Sequence, residues 1–93
     1  CSAERELGLL SRAQAALRAR SGQRALDLLA EHAALCPSAT FWQERSAARV
    51  LALCLLQREP QALAEAARLR SLAPRSPLLA RLRTSCAGAA VEP

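Results

Sequence analysis

The chain has 93 residues, 22 of them Ala and 18 Leu, with 13 Arg against 8 acidic side chains and a net charge of +5. Lys, Met, Ile, Asn and Tyr are absent and Val50 and Val91 are the only β-branched aliphatics, a composition that favours helices and excludes a sheet core or a disordered chain. The longest uncharged apolar run, Val50 to Leu56, is about a third of the ~20 residues that a bilayer-spanning helix requires.

Ser2 is placed to cap a first helix whose opening turn carries Glu4 and Glu6 at the positive end of the helix dipole. Leu7, Leu10, Ala13 or Gln14 and Leu17 form one apolar stripe, and Leu9, Ala13 and Ala16 a second beside it, so this helix expects two neighbours. After the break at Arg20-Ser21-Gly22, a second helix runs from about Gln23 to Leu35 with Ala25, Leu26, Leu28, Leu29 and Ala33 inward, and stops before Pro37. Thr40 with Gln43 reads as a capping box for a third helix over Phe41 to Leu56. Pro60 launches a fourth, through Ala62, Leu63, Ala66, Leu69 and Leu72, up to Pro74. Ser76-Pro77 opens a fifth, Leu78 to about Cys86, before Ala87-Gly88-Ala89-Ala90 begins a flexible tail over residues 87–93.

A shift of 37 lays Ala25 on Ala62, Leu26 on Leu63, Ala30 on Ala67, Leu35 on Leu72 and Pro37 on Pro74. One shift that relates both the apolar register and the terminating proline indicates two copies of a helix–turn–helix unit, which must stack to bury its apolar face. The turns Arg20 to Gly22 and Gln57 to Glu59 are short enough to force each pair into an antiparallel hairpin. The expected fold is all-α: repeat 1 over about 3–37, repeat 2 over about 38–74 and a cap helix over about 76–86, together one domain over 1–86.

In these residues the chain resembles tetratricopeptide repeats. Ala25 and Ala62, each followed by Leu, open the second helix of each pair, Ala13 and Val50 stand about twelve positions earlier, and Pro37 and Pro74 end the units. The repeat is 37 residues where that family uses about 34, and Leu or Ala stands at its aromatic positions. The resemblance implies a right-handed solenoid of helix pairs that binds proteins. The runs Leu9-Leu10-Ser11-Arg12-Ala13-Gln14, Ala25-Leu26-Asp27-Leu28-Leu29-Ala30-Glu31-His32 and Val50-Leu51-Ala52-Leu53-Cys54, with Glu44-Arg45, Ser76-Pro77-Leu78 and Ser85-Cys86, are similar to the C-terminal repeat modules of myxobacterial envelope proteins. That similarity implies an upstream transmembrane helix and low-complexity linker, and a bacterial envelope location.

Four cysteines, at positions 1, 36, 54 and 86, have no Cys-x-x-Cys spacing, which argues against a zinc or thioredoxin-like site. Three pairings are open to them. An antiparallel hairpin brings Cys1 toward Cys36, and stacking of the third helix on the fifth brings Cys54 toward Cys86. Alternatively they stay free, Cys54 as a small hydrophobe within an Ala/Leu core; Cys1 also reads as a lipidated first residue or as a point of cleavage. Bridges expect an oxidising compartment, periplasm or envelope, and free thiols expect the cytoplasm. With no initiator Met and no signal-peptide pattern, the chain reads as a processed product or part of a longer one.

No enzyme activity, cofactor or metal is expected. His32, the one histidine, sits beside Glu31 in a helix, where adjacent residues do not face each other, and reads as a partly exposed structural side chain. Gly8, Gly22 and Gly88 are too isolated for a phosphate cradle. The arginines are spread along the whole chain and the only aromatics, Phe41 and Trp42, point about 100° apart on a helix, so neither a basic patch nor a stacking platform for nucleic acid is expected. Contact with a membrane is expected only through segments outside this stretch. The expected partner is a protein or peptide on the concave face, at Leu10, Gln14, Leu17 and Arg18 of the first repeat and Ala47, Leu51, Cys54 and Arg58 of the second. The alternative is an architectural or self-associating helical domain that packs the same apolar face without a peptide ligand.

Overall fold

A helix start leaves backbone N–H groups without partners, and at Ser2 the side-chain hydroxyl accepts one of them, from Arg5, at 3.1 Å. The computed structural model describes residues 1–93, with five α-helices and no strand: α1 Ala3–Arg18, α2 Gly22–Leu35, α3 Trp42–Leu55, α4 Glu59–Leu72 and α5 Leu78–Leu82. The all-α expectation holds. No helix is long and apolar enough to cross a membrane.

The 37-residue relation extends from residue types to backbone geometry. Beyond α1, the Arg20 N–H donates to the Leu17 carbonyl at 2.9 Å and the Ser21 N–H to the Ala16 carbonyl at 2.8 Å. Beyond α3, the Gln57 N–H donates to the Cys54 carbonyl at 3.0 Å and the Arg58 N–H to the Leu53 carbonyl at 2.9 Å. This is the Schellman cap, which needs a left-handed residue, supplied by Arg20 at φ 59° and Gln57 at φ 57°. Each cap reverses the chain, so α2 packs back along α1 and α4 along α3. α2 also packs on α3, α1 on α3, and α5 on both α3 and α4.

Small residues let these helices approach closely. Ala13, Ala25, Ala52, Ala62, Ala66 and Val50 are fully buried between them. Around them Leu29, Leu53, Leu69 and Leu82 are the largest buried side chains, each stabilising by about 1.5–3 kcal/mol through removal from water. A close approach is at Gly22, where α2 begins against the end of α3: a Cβ there would lie 2.9 Å from Leu56 Cγ and 3.1 Å from the Ala52 carbonyl oxygen.

Three expectations are corrected. The Thr40–Gln43 capping box does not form: α3 begins at Trp42 behind Phe41, one residue later than that box needs, and has no side-chain cap of its own, while the Phe41 N–H is taken by a carboxylate from α1. The cap helix, expected to about residue 86, stops at Leu82; the Ser85 hydroxyl donates to the Leu82 carbonyl at 2.6 Å and accepts from the Ala87 N–H at 3.1 Å, turning the chain. Residues 87–91 are packed where a flexible tail was expected. Gly88–Ala90 form a 3-10 turn against α4, with Ala87 and Val91 buried in the core.

Candidate functional site

Two polar assemblies stand out from the Ala/Leu packing. The first joins three helices. From the first turn of α1, Glu6 is buried, and its Oε1 accepts the Phe41 N–H at 2.7 Å. The same oxygen lies 3.5 Å from Nε2 of His32 on α2. From α3, Arg45 Nη1 sits 3.2 Å from His32 Nδ1 and donates to the Cys36 carbonyl at 3.2 Å.

A guanidinium only donates, so Nδ1 of His32 is the acceptor and the ring proton belongs on Nε2, facing Glu6. Nε2 makes no hydrogen bond of good geometry. Burial pushes the His32 pKa below its ordinary 6.5, and Arg45 pushes it further, against the opposing pull of Glu6. The imidazole is therefore neutral near pH 7. His32 is 0% exposed, which corrects the expectation of a partly exposed side chain; Ala33, expected inward, is exposed instead. The helical register explains this, since four and then three residues on from Ala25 come Leu29 and His32, on the face turned to the core.

Beside this cluster Cys1 and Cys36 pair at disulfide distance, Cα to Cα 5.3 Å, and Cys54 and Cys86 pair at 5.6 Å. These are the two pairings that hairpin geometry and stacking had brought together, and they are compatible with an oxidising compartment. A Cys1 sulfur bonded to Cys36 is not free to carry a lipid thioether. No group of three or more His, Cys, Asp or Glu side chains is placed to hold a metal ion.

The second assembly is an open groove of about 510 Å³ where the C-terminal ends of α1 and α3 meet the turn after α5. Its apolar side is Leu17, Leu51, Leu55 and the Cys54 half of a disulfide. Its polar side is Arg20, Gln57, Thr84 and Ser85. Of the residues expected on the concave face, Leu17, Leu51 and Cys54 are thus brought together. Leu10 and Ala47 are not available there: both are buried in the helix packing, because each lies on the side of its helix that faces the other elements. Gln14, Arg18 and Arg58 are exposed outside the groove lining. Arg20 and Gln57 were missed as site residues although the 37-residue shift pairs them; Thr84 and Ser85 carry no sequence signal that would have found them.

No family model, curated protein or solved structure matches this chain.

Proposed function

We propose that the chain is a non-catalytic protein-interaction module, built of tetratricopeptide-like helix pairs, that binds an extended segment of another protein. The groove carries this reading: it is open, two of its walls come from equivalent positions of the two helix pairs, and its floor is apolar. A stack of hairpins is supported by the sequence of neighbours, with α3 against α1 on one side and α5 on the other and α2 wedged against α3; its right hand is what the resemblance implies. The two cysteine pairs support an oxidising compartment as the place of work, and the periplasm or cell envelope of a bacterium is the one that the resemblance implies.

Self-association is the second reading, favoured by Leu35 and Leu72. These two residues are repeat equivalents, 40% and 58% exposed, at the ends of α2 and α4. Light scattering across a dilution series separates the two. A monomer at every concentration supports a module with its groove free for a partner. A dimer that persists on dilution supports the self-associating reading, and overturns the first where substitutions in the groove at Leu17 or Leu51 dissociate it and those at Leu35 or Leu72 do not.

A further inference from the structure

Arg20 and Gln57 both hold left-handed backbone, φ 59° and 57°, at the helix-capping position where glycine is the usual residue because it adopts that conformation freely. Both side chains line the same groove. Each helix pair thus keeps a long polar side chain where glycine would relieve strain, and strain held at two equivalent positions facing one cavity points to use of the side chains themselves.

Their chemistry fits an anion. Arg20 is the only charged residue in the lining and no carboxylate accompanies it. The ion pairs of the chain join Glu65 to Arg49 and Arg68, and Glu6 lies against the neutral His32, which leaves the Arg20 guanidinium unpaired. Glu4 and Glu6 of α1 and Glu44 of α3 stand in first turns, at the ends of these helices away from the groove; Glu59, at the start of α4 two residues beyond Gln57, lies outside the lining and makes no ion pair with Arg20. The Gln57 amide and the Thr84 hydroxyl add donors; the Ser85 hydroxyl already donates to the Leu82 carbonyl.

We propose that the groove takes an acidic segment of a partner protein, with an apolar side chain seated on Leu17, Leu51 and Leu55 and a neighbouring carboxylate held by Arg20 and Gln57. The proposal rests on the peptide-binding reading and names the kind of segment bound. Apolar seating supplies affinity, and the guanidinium, free of competing carboxylates, supplies selection by charge.

The probe is a phage-displayed library of random peptides selected on the purified, oxidised full chain, with the enriched peptides measured in solution against wild type and two variants. Enriched peptides should carry Asp or Glu next to an aliphatic or aromatic residue, and their binding should weaken with added salt. Arg20→Gly should lower affinity about tenfold or more while raising the melting temperature, because glycine relieves the left-handed strain. Arg20→Glu should turn the selection toward basic peptides. Enrichment of neutral or basic peptides on wild type, or affinity untouched by Arg20→Gly, overturns this inference and leaves the peptide-binding module standing. Absence of any enriched peptide overturns both.

Discussion

His32 and Leu69 occupy the same place in the two helix pairs, 37 residues apart, and each is 0% exposed. A neutral imidazole thus packs where the second copy packs an aliphatic side chain of similar size. His32→Leu is expected to change stability by less than about 1.5 kcal/mol near neutral pH, since shape is nearly kept and a buried polar group is removed. His32→Ala leaves a cavity and is expected to cost about 2–4 kcal/mol. Urea denaturation of the three proteins measures both. Equal losses for the two variants would mean that the contacts to Arg45 and Glu6, and not packing, hold this junction together.

The same pair of residues gives a pH test. Folded His32 titrates below 6.5 because burial and then Arg45 disfavour its charged form, with Glu6 opposing them. Above pH 6.5 the ring is neutral in both folded and unfolded chains and has no effect on the balance. As the pH falls below 6.5 the unfolded chain takes up a proton that the folded chain does not, so stability declines until the lower folded value is reached. Wild type should therefore lose more urea resistance than His32→Leu as the pH falls below 6.5. Parallel pH profiles would show that the folded imidazole is not shielded.

The repeat was legible because it is written in local signals: Ala25 with Leu26, Ala62 with Leu63, and the prolines at 37 and 74 that stop each unit. The same shift relates the bounds of α2 and α4 at both ends. What escaped depends on contacts between distant positions. Nothing near Glu6 in sequence announces that it will accept the Phe41 N–H across 35 residues, and the local Thr40–Gln43 pattern pointed to a helix start one residue too early. Arg20 and Gln57 hid the helix caps because side chains other than glycine seldom announce left-handed backbone. The Ala-Gly-Ala-Ala run looked loose by composition, yet its small residues are what fit against α4.

Two glycines on adjacent helices should respond in opposite directions to the same substitution. Gly8 lies inside α1 with nothing within 4 Å of an added Cβ, so Gly8→Ala should stabilise by up to about 1 kcal/mol through helix propensity alone. At Gly22 the added methyl meets Leu56 Cγ at 2.9 Å and the Ala52 carbonyl oxygen at 3.1 Å. Gly22→Ala should therefore destabilise by about 1–3 kcal/mol as α2 is pushed off α3. Thermal denaturation of the two variants checks the contrast. Stabilisation by both would show that the α2–α3 contact yields without strain.

Cys1–Cys36 and Cys54–Cys86 close loops with sequence separations of 35 and 32, each expected to stabilise by about 3–4 kcal/mol if loop entropy of the unfolded chain dominates. In a domain under a hundred residues, 1 kcal/mol shifts the melting temperature by about 4–8 °C. Reductant should therefore lower it by more than about 10 °C. Cys54→Ala with Cys86→Ala should reproduce part of that loss and leave a smaller response to reductant. Titration of four thiols in unreduced, denatured protein made in an oxidising compartment would remove both bridges and the reason for placing the domain there.

Where Leu9 and Leu28 belong to the apolar core of the first pair, the equivalent positions of the second are Ser46 and Glu65, joined by a hydrogen bond from Ser46 Oγ to Glu65 Oε2 at 2.6 Å. Ser46 is buried, and Glu65 is held further by Arg49 at 3.6 Å and Arg68 at 3.3 Å. Those two arginines are solvent-exposed to a large degree and contribute little. The part-buried hydroxyl–carboxylate bond is the interaction of consequence: loss of Glu65 strands the buried Ser46 hydroxyl, and loss of Ser46 leaves Glu65 only its exposed arginines. Glu65→Ala and Ser46→Ala should each destabilise by about 1–2 kcal/mol, with a coupling of about 1 kcal/mol or more in the double-mutant cycle. Replacing both at once with leucine, as the first pair has, should recover most of the loss, because two matched apolar groups leave nothing unpaired. A double leucine variant less stable than either alanine variant would mean that the two helix pairs pack too differently here to exchange their contacts.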